Sequence, residues 1–177
     1  DIKISDNVLR SVITELYYPM SPYTFAVVKS EVLGEIYEQF LGEVVTVRDG
    51  TVTIVSKPEV RESGGVVQTP GFIADSIIDR AVGGVIAGKS PEELRDFTVA
   101  DICCGSGVFL LSVYQYFLDY YLEWYLNHDL QSHIGPRIYE SSLGDWRLTF
   151  QEKRRILTTH LRGVDIDPNA VEIAQFS

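Results

Sequence analysis

The stretch Thr98–Leu111, T-V-A-D-I-C-C-G-S-G-V-F-L-L, decides the fold. Val99 to Cys104 is a short apolar run with strand character, Gly105-Ser106-Gly107 reads as a tight bend, and a long helix starts at Val108. Strand, glycine bend and helix bring the backbone close to a ligand where no Cβ intervenes, and they point the first N–H groups of the helix at an anion. The bend is therefore the candidate ligand site. A plain strand-to-helix turn would use the same residues, because one G-x-G is a weak signal.

A second strand-to-helix unit follows near the end of the chain, L-R-G-V-D-I-D-P-N-A-V-E-I-A. It predicts a strand over Arg162 to Ile166 and a helix capped by Asp167 with Pro168 in its first turn. Two such strands in one sheet place Gly105 to Gly107 and Asp165 side by side at the carboxyl edge, where open α/β sheets bind ligands. A carboxylate there can accept both hydroxyls of a ribose. The dinucleotide fingerprint does not fit, since its third glycine is replaced by Leu110 and Asp165 comes far too late. No G-K-S/T of a P-loop is present either.

Between the two units, Val108 to Leu126 is apolar except for Ser112, Gln115, Asp119 and Glu123, which draw one polar stripe at helical spacing. That pattern predicts a helix buried over most of its circumference in a soluble protein, not a membrane span. Asn127 to Trp146 has no sustained period and reads as a long connection or insertion. Phe150 to Leu161 reads as a helix with Lys153, Arg154 and Arg155 on its exposed side.

Upstream, Val8, Leu9, Val12, Ile13, Leu16 and Tyr17 repeat with helical period behind a Ser5 or Asp6 cap, and Pro19 and Pro22 end the run. Ser30 caps a second helix, with Leu33, Ile36, Tyr37, Phe40 and Leu41 on one face and Gly42 closing it. Glu43 to Val55 alternates around Asp49-Gly50, a strong hairpin signal. Lys57 to Gly65 reads as a loop into the second region. Thr69-Pro70 opens a helix as cap and first residue, with Ile73, Ile77 and Ile78 facing the core. Ser90-Pro91-Glu92-Glu93 has the form of a capping box for a short helix.

Composition narrows the function. A net charge of −10 over 177 residues opposes a broad phosphate-gripping face. The chain starts at Asp1 without a secretory leader, which suggests a fragment of a cytoplasmic protein. Cys103 and Cys104 are adjacent and match neither a zinc spacing nor a disulfide framework, and His128, His133 and His160 lack companions at ligand spacing, so no metal site is expected.

Three motifs carry a resemblance. Asp101 to Leu110, D-I-C-C-G-S-G-V-F-L, is similar to the D-P-A-C-G-S-G-x-F-L motif of N6-adenine DNA methyltransferases. Gly64 to Pro70 resembles their G-x-Y-Y-T-P motif, and Gly163 to Ala170 resembles G-V-D-I-D-P-x-A. Order and spacing agree, and Glu31 to Gly42 with Lys57 to Arg61 resembles the stretch before the catalytic domain in the Eco57I-like branch, which includes fused restriction-modification enzymes and phage-defence methylases. Gln68 departs from the family's Tyr, and Ile102 and Cys103 from its Pro and Ala.

The resemblance implies an α/β fold: the first part of a Rossmann-like methyltransferase sheet (63–177), preceded by accessory helices and a β-hairpin (1–62). It implies S-adenosyl-L-methionine as cofactor. Asp101, Cys103 and the Gly105-Ser106-Gly107 backbone would hold the methionine end, Thr69 and Pro70 would close that side, Asp165 would take the ribose hydroxyls, and Ile166 would lie against the adenine. DNA would be the partner, mostly through regions outside this stretch. No catalytic residue is expected in the chain, because the Asn/Asp-Pro-Pro-Tyr/Phe motif is missing, and the isolated chain should be inactive. A non-catalytic interaction or cofactor-binding module, or a methyltransferase acting on RNA or protein, stays open.

Overall fold

The computed structural model describes residues 3–22, 32, 36, 43–56 and 69–177 of a chain that divides into two units, Asp1–Val67 and Gln68–Ser177. In the first unit, helix α1 (Asp6–Leu16) has Ser5 at its cap position without a side-chain bond. Val8, Leu9, Val12, Ile13 and Leu16 are all exposed on it. Strands β1 (Glu43–Arg48) and β2 (Thr51–Ser56) pair antiparallel, with Val45 opposite Ile54 and Val47 opposite Val52. Asp49 (φ 51°) and Gly50 (φ 75°) are both left-handed, as the primed two-residue turn requires. The expected helix from Ser30 to Gly42 lies outside the described residues except for Val32 and Ile36, both helical, and so does the Lys57 to Gly65 loop.

The first helix of the second unit starts one residue later than its sequence suggests. Pro70, not Thr69, occupies the cap position of α2 (Gly71–Ile78), and no side chain caps it. Ile73 and Ile77 are exposed, so they are not core residues. The buried face is instead Ala74, Ile78, Val82 and Ile86. A strict spacing of four drifts off one face of a regular helix, but here the chain passes through a π-helical turn (Asp79–Gly83) before α3 (Gly84–Ile86), and the wider turn holds the register. The Ser90–Glu93 box forms as expected, with Ser90 N donating to Glu93 at 2.8 Å and Glu93 N to Ser90 Oγ at 3.3 Å. It closes a turn at 91–96, not a helix.

Strand β3 (Val99–Asp101) then leads to α4 (Val108–Asn127), the spine of the unit. Val113, Phe117, Tyr121 and Tyr125 are buried along it, while Gln115, Asp119 and Glu123 are exposed as the polar stripe predicts. The segment read as a long connection or insertion carries elements of its own. It holds α5 (Leu130–His133) and a small antiparallel hairpin of β4 (Ile138–Glu140) and β5 (Trp146–Leu148), whose three-residue strands are too short to show a period. After α6 (Phe150–His160), strand β6 (Leu161–Gly163) pairs parallel to β3, with Asp101 opposite Gly163, and α7 (Pro168–Phe176) follows. Val164 N to Asp101 O (2.9 Å) and Cys104 N to Val164 O (3.0 Å) extend that ladder toward the bend.

A carboxylate and an imidazole sit inside this core. Only Lys153 and Arg154 of the expected cationic face are exposed, because Arg155 turns inward onto Glu152. Glu152 is 1% exposed and accepts from Tyr125 (2.7 Å), Arg137 (2.7 Å) and Arg155. Burial alone would push its carboxyl up, but the Arg155 and Tyr125 hydrogen bonds and the two guanidinium charges hold it below the usual carboxylate value. His160 is fully buried, stacked on Phe117 at 4.3 Å. Its Nδ1 lies 2.7 Å from the Phe97 carbonyl, a pure acceptor, so Nδ1 carries the hydrogen and Nε2 accepts from the Tyr121 hydroxyl at 2.7 Å.

Burial lowers the His160 pKa, with Arg155 adding to the effect against the opposing pull of the Phe97 carbonyl. The unfolded ring therefore takes up a proton that the folded ring refuses. Stability is full above about pH 6.5, the ordinary histidine value, and falls as pH drops through the folded value. A second loss sets in below about pH 4.5 as Glu152 protonates. Denaturant melts over a pH series should show both steps, and His160→Gln should abolish the first only.

Candidate nucleoside and amino-acid site

The glycine bend is built by two left-handed residues, Gly105 (φ 51°) and Gly107 (φ 95°). Gly107 is the cap residue of α4 and has no side chain with which to cap it, which leaves the first turn of the helix open to an external acceptor. A Cβ at position 107 would stand 3.0 Å from Ala174 Cβ of α7, and one at position 163 would stand 2.7 Å from Leu110 Cδ1 and 3.1 Å from Cys104 Sγ. Glycine is what lets α4, α7 and β6 close around the bend.

Asp165 is tied to the same place. Its Oδ2 accepts from Gly105 N at 2.8 Å and its Oδ1 from Asp167 N at 2.8 Å. A carboxylate offers about four lone-pair sites, so two stay open for hydroxyl donors. Asp101, at the end of β3, accepts from Cys103 N at 3.1 Å. Asp167 caps α7 through Asn169 N at 3.0 Å, with Pro168 at the first position, as the sequence predicts.

The other expected site residues are distributed as follows. Ser106 is enclosed at 1% exposure, Cys103 is exposed and Cys104 buried. Burial raises the Cys104 thiol pKa, and the charges of Asp165 and Asp101 raise it further, so it is an inert packing residue. Ile166 is fully exposed and apolar beside Asp165. Thr69 is half-buried and Pro70 exposed at the start of α2, and no hydrogen bond among the described residues joins them to the bend. A cavity of about 300 Å³ lies along β3, between Ile77, Ala81, Val99, Ile102, Phe109 and Val113, with Asp101 as its charged lining residue. Its lining is mostly apolar and includes neither the glycine bend nor Asp165.

Sequence reading missed the buried Glu152. A signal was present: Thr149-Phe150-Gln151-Glu152 has the spacing of a capping box, and Thr149 does accept from Glu152 N at 3.2 Å. The Glu152 carboxylate, however, is drawn to two arginines and a tyrosine instead of the cap.

Over 173 residues, 97% of this chain, the sequence is 35% identical to the Type II restriction enzyme and methyltransferase RM.Eco57I of Escherichia coli. The chain is related to a restriction-modification methyltransferase. It spans 17% of that relative's length. No protein-family model matches the chain. Among the described residues no group of three or more His, Cys, Asp and Glu side chains could hold a metal ion, and no helix is long and apolar enough to cross a membrane.

Gly107→Ala should lower unfolding stability by about 1–2 kcal/mol, the cost of a left-handed backbone with a Cβ, because the contact with Ala174 gives it no room to relax. Thermal or denaturant melts of the variant check this. A neutral substitution would contradict the close approach of α4 and α7.

Proposed function

We propose that this chain is the methyl-donor-binding part of an S-adenosylmethionine-dependent DNA methyltransferase of a restriction-modification or phage-defence system, acting on the N6 amino group of adenine. The observation that carries the reading is the 2.8 Å hydrogen bond between Gly105 N–H and the Asp165 carboxylate. It puts a hydroxyl acceptor and an uncapped helix start within one small region. The likeness to RM.Eco57I along nearly the whole chain supports the reading, and the Rossmann-like assignment of the parallel β3–β6 pair is part of the same proposal.

The residues present fit such a ligand. The first turn of α4 would receive the amino-acid carboxylate, since its N–H groups have no side-chain cap. Asp101 would balance the ammonium, and the open lone pairs of Asp165 would accept the ribose hydroxyls. Ile166 offers an apolar surface to the adenine. Thr69 and Pro70 would close the methionine side, while Cys103 and Ser106 shape the bend on which that end rests. S-adenosylmethionine supplies a methyl group already activated by its sulfonium, which departs as a thioether when the acceptor amino group takes the methyl and loses a proton. This chain's own part is to bind and orient.

The acceptor side is not contained in these residues. The 177 residues include no Asn/Asp-Pro-Pro-Tyr/Phe sequence, which in the resembling family holds the flipped base. DNA is therefore expected to be gripped mainly by other parts of the parent protein, in keeping with the net charge of −10 here.

Two measurements test the proposal. Calorimetric titration with S-adenosylhomocysteine should give saturable heat that is reduced at least about tenfold in affinity by Asp165→Ala, the loss of hydrogen bonds to a charged acceptor. Binding untouched by that substitution would remove Asp165 from the site. Incubated with labelled methyl donor and adenine-containing duplex DNA, the chain alone should transfer no methyl group, and turnover would overturn the assignment of the catalytic motif to other residues.

A further inference from the structure

On the far end of α4 from the glycine bend lies a second pocket, of about 180 Å³, walled by Trp124, Tyr125, His133, Arg137 and Arg155 with Glu92 at its mouth. Its charge is unbalanced. One buried carboxylate, Glu152, faces two guanidinium groups and also receives the Tyr125 hydroxyl. A single arginine would neutralise it, and the other carboxylate of the lining, Glu92, is already paired with Arg95 at 3.0 Å, so the second guanidinium charge has no buried counter-charge in this partly enclosed space.

The spare donors are identifiable. Arg155 gives Nε and Nη2 to Glu152, and Arg137 gives Nη1. Arg155 Nη1 and Arg137 Nε and Nη2 have no partner among the described residues. The two side chains are 31% and 42% exposed, which places their free edges at the pocket, not in the core. The guanidiniums are also held in place: Arg155 lies over the Tyr121 ring at 5.5 Å, and Arg137 is anchored at 2.7 Å to the buried Glu152 carboxylate. Fixed, paired, partly desolvated guanidinium edges are the arrangement that binds tetrahedral oxyanions by forked hydrogen bonds.

We propose that this pocket is a binding site for a small phosphate group, a phosphomonoester or inorganic phosphate, held between Arg137 and Arg155. A polyanionic strand is disfavoured by the chain's net charge of −10 and by Glu92 at the mouth. The volume admits the phosphate itself but leaves the body of a nucleotide outside. The site is separate from the Gly105–Asp165 junction and does not depend on the methyl-donor reading.

The test is a titration of the full chain with inorganic phosphate, adenosine monophosphate and a single-stranded oligonucleotide lacking terminal phosphates, read by the indole and Arg Nε–H resonances of Trp124, Arg137 and Arg155. Phosphate and the monophosphate should saturate at fixed ionic strength, and the oligonucleotide should not. Arg137→Gln should weaken phosphate at least about tenfold, the loss of one charge-assisted pair. Glu92→Gln, an exposed change remote from the core, should tighten it, which keeps the test decisive if the Arg137 variant folds poorly. Shifts that follow ionic strength alone, tighter binding of the oligonucleotide, or an unchanged affinity in Glu92→Gln would each overturn the proposal.

Discussion

The hydrogen bond from Gly105 N–H to the Asp165 carboxylate joins residues sixty positions apart and locks two strand ends to one bend. It acts where the parallel ladder of β3 and β6 runs out, after Cys104 has paired with Val164. Without it, the left-handed Gly105 and Gly107 would be a loose connection between a three-residue strand and a twenty-residue helix. With it, the start of α4 is aimed, and the second oxygen of the same carboxylate orders the entry to α7 through Asp167 N. One side chain thus organises both helix starts that face the candidate site. The tight glycine contacts at 107 and 163 are the steric counterpart of that electrostatic tie.

Behind the junction, stability rests on α4. Its buried stripe of Val113, Phe117, Tyr121 and Tyr125 becomes progressively polar toward the C-terminal end, where the tyrosine hydroxyls meet His160 and Glu152. Burial pushes the Tyr121 hydroxyl pKa up to about 12, so it stays a donor under any ordinary condition. The core is therefore apolar near the bend and hydrogen-bonded at the far end. The small β4–β5 hairpin is held to the rest partly by Arg137 on the buried Glu152. Buried ion pairs of this kind define geometry more reliably than they add stability, because desolvation offsets much of the attraction.

Much of this was legible in the residues, and the reasons differ by element. The Asp49-Gly50 hairpin, the 108–127 helix with its polar stripe and the Asp167-Pro168 cap are local signals, each set by neighbours within a turn or two. Asp165 meeting the glycine bend followed from two strand-to-helix units sharing a sheet edge. What escaped was either too short or too distant: three-residue strands carry no period, and the π turn at Asp79–Gly83, which keeps Val82 and Ile86 in line with Ala74 and Ile78, has no marker such as proline. The cap position fell one residue later than Thr69, on Pro70, whose side chain cannot cap the helix. Arg155 looked like a solvated cation because its partner, Glu152, reads as an ordinary helix-start carboxylate until the arginine of a separate hairpin is brought beside it.

The most direct measurement is a backbone amide NMR titration of the isotopically labelled chain with S-adenosylhomocysteine. If the carboxylate and the glycine bend form one site, the resonances of Gly105, Gly107, Val108, Asp165 and Ile166 should move together along a single saturation curve. Shifts confined to the apolar cavity beside β3, around Ala81 and Phe109, or movement of Asp165 without the bend, would contradict it.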